Sequence, residues 1–283
     1  MAIRYGEDFA GQRQAADGPV RVGDTTVSFH PAGHILGSAQ IAVQPDRGPK
    51  IVVSGDYCRH PNPVSAPYEP VPCDFFVTEA TFGLPVFKHP DPAAEMAKLL
   101  ASMAEFPDRA HLIGAYALGK AQRIIAHLRE AGWERPIYVH GALERLNALY
   151  EREGVALGPI LPTRDLPKGS LGGEVAIAPP SAIQDRWARR FAEPVAAFAS
   201  GWMGVRARAR QKGVELPLVV SDHADWDELT ATFREVAPEE IWITHGREEG
   251  LCRWAELHGM KARALRLVGY DEEDDESLEV RPD

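Results

Sequence analysis

At 283 residues, with 45% hydrophobic and 25% charged residues, the chain has the length of one large or two small domains and an ordinary globular composition, which excludes disordered, collagen-like and fibrous classes. No apolar run nears the roughly 20 residues needed to span a bilayer, no charged-then-apolar segment opens the chain, and Cys58, Cys73 and Cys252 are too widely spaced for a disulfide framework or a metal knuckle; a soluble cytoplasmic protein with reduced thiols and no membrane partner is expected. Of the net charge of −10, residues 271–283 carry −7, so the terminus is expected to be a solvated acidic tail while the nearly neutral remainder keeps a nucleic-acid partner open.

Short β-branched apolar runs alternate with amphipathic stretches, the pattern of an α/β protein. In chain order, strands are expected at 25–30, 41–43, 51–54 and 75–78. A helix at 92–105 follows, opened by Asp91 as cap and Pro92 just inside. Strands at 111–113, 137–139, 174–177 and 195–199 then alternate with helices at 121–131, 142–153 and 183–191. The chain closes with a strand at 218–220, a helix at 225–236, a strand at 241–244, a helix at 249–258 and a strand at 264–268. The first ninety residues string strands together through turns such as Pro45-Asp46-Arg47-Gly48, which predicts antiparallel pairing there. The βα alternation of 90–213 reads as a unit inserted into a domain made of 1–89 and 214–270.

Five polar residues each close a predicted strand: His34, Asp56, Glu79, His223 and His245. Layered α/β folds gather their active sites at strand ends, and a lone His or Asp delivered there from an apolar strand costs free energy unless it is paired. Each residue alone is most simply a cap or a hydrogen-bonded side chain. Three histidines and two acids in the same placement, without thiolates, point to a Zn-, Mn- or Fe-type hydrolytic centre. Separately, Arg186, Arg189, Arg190, Arg206, Arg208, Arg210 and Lys212 crowd a stretch whose only acids are Asp185 and Glu193, which fits either a phosphate-tracking surface or a solvated helix face.

The residues around these positions resemble the β-CASP branch of the metallo-β-lactamase fold, most closely the bacterial ligase-associated DNA exonucleases, and beyond them the mRNA 3′-end cleavage factors and ribonuclease J. Pro31-Ala32-Gly33-His34-Ile35-Leu36-Gly37-Ser38-Ala39 is similar to the third metal motif and Ser54-Gly55-Asp56 to the fourth. Thr78-Glu79-Ala80-Thr81-Phe82-Gly83, Ser221-Asp222-His223-Ala224-Asp225 and Thr244-His245-Gly246 are similar to β-CASP motifs A, B and C. Ala117-Leu118-Gly119-Lys120-Ala121-Gln122 resembles the segment before the first long β-CASP helix.

The resemblance implies an αββα metallo-β-lactamase sandwich with an inserted β-CASP domain. It implies two divalent ions, zinc or manganese, bound in part by His34, Asp56 and His245, with Asp56 bridging. His223 would be the general acid, oriented by Glu79. The activity implied is phosphodiester hydrolysis of DNA, as an exonuclease working in repair with a DNA ligase and helicase.

The HxHxDH motif, which in this family supplies most of the ligands of both metals, is absent; either it lies upstream of Met1, in roughly 50 to 70 further residues of ordinary domain, or the chain is a real short form in which His34, Asp56 and His245 are a remnant of the site. Three protein ligands are too few for two ions, so a nuclease, an RNA-processing relative and a catalytically inactive nucleic-acid-binding subunit all stay open. A thioester or lactam hydrolase on the same fold fits less well, because an inserted domain suits a long polymeric substrate.

Overall fold

In the computed structural model, residues 18–265 are described, apart from Asp165, Lys168 and Lys212. The chain begins with β1 (Val20–Val22), β2 (Thr25–Pro31), β3 (Ala39–Pro45), β4 (Ile51–Val53) and β5 (Phe75–Ala80). It continues through α1 (Pro92–Glu105), β6 (His111–Gly114), α2 (Lys120–Glu130), β7 (Ile137–Val139), α3 (Gly141–Arg152), β8 (Ile160–Pro162), β9 (Val175–Ala178) and α4 (Pro180–Gln184). The last elements are β10 (Val195–Ala199), α5 (Arg206–Gln211), β11 (Leu216–Leu218), α6 (Trp226–Val236), β12 (Glu240–Gly246), α7 (Glu248–Leu257) and β13 (Ala262–Ala264).

The molecule is mixed α/β with two sheets. The first has the order β1-β2-β3-β4-β5-β12-β13, antiparallel from β1 to β4 and parallel from β4 to β13. Alternation along its strands buries one face: Ala42, Val52, Phe76, Ile241 and Ile243 pack with Leu229, Phe233 and Val236 of α6 and Leu251 of α7. The opposite face stays open although it is apolar. Phe29, Ile41 and Val53 stand opposite one another in register across β2, β3 and β4, and are 46%, 38% and 38% exposed.

The second sheet, order β11-β10-β6-β9-β7-β8, is wholly parallel, and its strands are correspondingly apolar on both faces. Ile113, Ile177 and Ala197 pack against Met96 and Leu99 of α1, Ile124 and Leu128 of α2 and Leu143 of α3. Leu112 and Ala176 turn to the other side, where Phe191 joins them.

Three expectations are corrected. The helix at 183–191 gives way to α4, which begins earlier on Pro180, and a 3-10 turn at Ala188–Arg190. Asp185 breaks it by adopting extended backbone (φ −99°, ψ −174°), and Arg190 then ties the segment sideways, its carbonyl accepting from Gly169 N–H at 2.8 Å and its guanidinium donating to the Leu166 carbonyl at 2.7 Å. The strand at 218–220 is instead β11, which pairs with β10 and so belongs to the second sheet. Pro217, tolerated because β11 is an edge strand, hid it. The last strand lies at Ala262–Ala264 and is followed by Leu265, whose N–H donates to the Ile243 carbonyl at 2.7 Å; residues 266–268, like the acidic tail, fall outside the described residues.

Candidate active site

Strands β2, β4, β5 and β12 point the same way, so their C-terminal ends share one edge of the first sheet. His34 lies on the loop from β2 to β3. That loop is closed by Ala32 N–H donating to Ser38 O at 3.1 Å, and the Ser38 hydroxyl accepts from the His34 and Ile35 amides at 3.1 Å each. Gly33 has φ +73°, and a Cβ there would lie 2.1 Å from the Cys58 carbonyl oxygen, so only glycine lets the loop sit this close. Asp56 follows β4 through Gly55, Glu79 belongs to β5, and His223 sits between β11 and α6.

Both imidazoles are fixed through Nδ1. His34 Nδ1–H donates to the Asp222 carbonyl at 2.8 Å, which leaves Nε2 with its lone pair, 3.9 Å from Asp56 Oδ2. His223 Nδ1–H donates to Glu79 Oε2 at 2.9 Å. Glu79, 3% exposed, also accepts the Thr81 hydroxyl at 2.5 Å and the Tyr57 amide at 2.8 Å, so its buried charge is fully paired. The two rings meet edge to face with centroids 4.8 Å apart. One donor atom from each of His34, Asp56 and His223 falls within 4.8 Å of the others. Two imidazoles, each braced at the second nitrogen, and a half-exposed carboxylate are a donor set that could hold a divalent cation.

Burial opposes the charged His223 ring, but the charge and hydrogen bond of Glu79, followed by Asp222 and Asp56, outweigh it and hold the imidazolium at about 9. Burial likewise pushes Glu79 up, and His223 and the hydrogen bonds bring it below the ordinary carboxylate value. A histidine raised in this way contributes stability that is complete below the unfolded value, about 6.5, and is lost as the pH rises through the folded one. In the metal-free protein, thermal stability is therefore expected to fall between about pH 6.5 and about 9, and His223→Gln to flatten that slope. An unchanged slope in thermal melts of the variant would show that the pair does not set it.

His245 does not belong to the set of donor atoms that lie within 4.8 Å of one another. It lies at a bulge where β12 shifts register against β5, with φ +57° and an exposed side chain. Of the trio implied by resemblance, His34 and Asp56 lie in this set, together with His223. Of the arginines, Arg190 is tied to the Leu166 carbonyl and Arg208 stacks on Trp202 at 4.1 Å, whereas Arg186, Arg189, Arg206 and Arg210 are exposed; Lys212 lies outside the described residues. Lys120, Arg123 and Asp222 surround the site from beneath and carried no role in the sequence. Two cations at i and i+3 beside Ala121, Ile124 and Ile125, in a helix buried at every position from Lys120 to Leu128, were the available signal.

No protein-family model matches the chain. It is 28% identical to a probable DNA ligase of Opitutus terrae, aligning 82% of this chain with 23% of that protein. It is 25% identical to cleavage and polyadenylation specificity factor 73 of Drosophila melanogaster, aligning 78% of this chain with 40% of that one. The chain therefore spans less than half the length of either curated relative. Among solved structures it is similar to an Enterococcus faecalis V583 protein of unknown function, with a TM-score of 0.58 and 14% identity over 90% of this chain and 65% of the other. That likeness concerns fold alone. Among the described residues, no helix is long and apolar enough to cross a membrane.

Proposed function

We propose that the chain is the site-bearing part of a metal-dependent phosphodiesterase of the metallo-β-lactamase/β-CASP type, a DNA exonuclease that works in repair beside a ligase. The observation that carries this is the convergence of His34, Asp56 and His223 within 4.8 Å, with His223 braced by a fully paired Glu79. The names of the two relatives, one a ligase for DNA and the other a cleavage factor, support a nucleic-acid substrate.

His34 and Asp56 would hold the ion, zinc or manganese. When bound, it supplies positive charge to a phosphoryl oxygen and lowers the pKa of a water molecule. His223 holds a proton at neutral pH because of Glu79 and presents it on Nε2, where it passes to the leaving ribose oxygen as the P–O bond breaks. Glu79 stays ionised and keeps the ring aimed. Exposed Arg186, Arg189, Arg206 and Arg210 would follow the phosphate backbone. A second reading, favoured by the same gathering of donors, makes His223 a third ligand, since a carboxylate–histidine pair is also how metal-bound imidazoles are oriented.

The open apolar face of Phe29, Ile41 and Val53 supports the αββα arrangement, in which a second β-layer covers it. Such a layer would carry the further ligands that two ions, His245 included, require.

Single-stranded DNA, RNA and a chromogenic ester should be assayed side by side with zinc and with manganese. Cleavage of DNA with release of nucleotides is expected, with affinity falling steeply as salt rises and less steeply in an Arg206→Ala/Arg210→Ala variant. Faster RNA cleavage would assign the substrate to RNA, and ester hydrolysis without nuclease activity would defeat the proposal.

A further inference from the structure

The first turn of α2 delivers two buried cations to the loop that carries His223. Lys120, 4% exposed, places Nζ 2.7 Å from Asp222 Oδ1. One turn on, Arg123, 1% exposed, donates to the Ser221 carbonyl and lies 3.4 Å from Cys58 Sγ. The next carbonyl, that of Asp222, is the one that receives His34 Nδ1–H at 2.8 Å. The same helix start also seats the His34 loop from the other side: a Cβ at Gly119 would lie 2.1 Å from Ile35 Cγ2. Burying an ammonium, a guanidinium and a carboxylate together is costly and gives little net stability compared with an apolar core, so their value lies in fixing geometry.

We propose that Lys120 and Arg123 are positioning residues that lock Ser221 and Asp222 in place, so that the Asp222 carbonyl holds His34 with Nε2 turned toward Asp56. Through this clamp the helix following the first strand of the parallel sheet sets the imidazole orientation at the edge of the other sheet. The inference rests on the proposed metal site for its zinc readout; its tautomer readout does not depend on that proposal.

The test is long-range proton–nitrogen NMR of the histidine rings in the full metal-free chain at about pH 8.5, above the ordinary imidazole range, paired with zinc titration. His34 in the wild type is expected to be a single Nδ1–H tautomer. Because Lys120→Met alone leaves Asp222 buried without its partner, the deciding variant is the neutral pair Lys120→Met/Asp222→Asn, with Arg123→Gln beside it. Both are expected to show mixed His34 tautomers and roughly tenfold weaker zinc binding, the scale at which supporting shells act on metal ligands; Lys120→Arg should restore the single tautomer. Folded variants that keep a single Nδ1–H tautomer, or a wild type without one, would overturn the clamp. A wild type that binds no zinc yet shows the tautomer change would sink the metal proposal and leave the clamp standing.

Discussion

Replacing His223 with alanine is expected to lower kcat by about 10² to 10⁴ while the zinc bound per chain stays constant. The side chain is held by one carboxylate, Glu79, which is itself fixed by the Thr81 hydroxyl and the Tyr57 amide, so the proton sits on a ring held in one orientation. Glu79→Gln is the companion. It removes the charge that keeps His223 at about 9, and the alkaline limb of the rate profile should move toward the ordinary imidazole value near 6.5. Zinc lost in parallel with activity in His223→Ala would place the ring among the ligands instead. Full activity in that variant would remove it from the chemistry altogether.

The second large effect is expected at Gly33. An alanine there must hold φ near +73° and put a Cβ 2.1 Å from the backbone oxygen of Cys58, a contact that cannot be relieved without moving one of the two strand-end loops. Gly33→Ala should cost more than about 3 kcal/mol in denaturant unfolding and weaken zinc binding in whatever fraction folds, because His34 is the next residue. Gly23→Ala is the control: it too has positive φ, +62°, but no atom lies within 4 Å of the added carbon, so only the backbone cost of about 1 to 2 kcal/mol should appear. Equal losses in the two variants would show that the Cys58 contact is not what demands glycine.

Most of the fold was legible because its elements announce themselves locally. Asp91-Pro92 opened α1 as expected, its carboxylate accepting from Ala93 N–H at 2.9 Å, and Asp225 with Glu228 forms a reciprocal cap at the start of α6. The central parallel strands were apolar enough to stand out. The pieces that escaped, β1, β8, α5 and the true β11, are elements of three to six residues, the three strands lying at sheet edges, too short to show a period in their own sequence.

In the site, strand-end placement singled out His34, Asp56, Glu79 and His223, and these four do lie together. His245 is placed on its strand end in the same way, at a register shift between Thr244 and Gly246. Strand-end placement could not find Lys120, Arg123 and Asp222. Their partners are 102, 98 and 188 residues away, a distance at which only the packing of one sheet's helix against the other sheet's loops brings the charges together.

The most direct measurement is zinc bound per chain in the 283-residue protein, compared with His34→Ala and Asp56→Ala. A site in which His34 and Asp56 hold the ion predicts one ion per chain in the wild type and a loss of at least tenfold in affinity in each variant. Zinc binding that survives removal of both side chains, or no binding by the wild type at all, would contradict a metal centre at this edge.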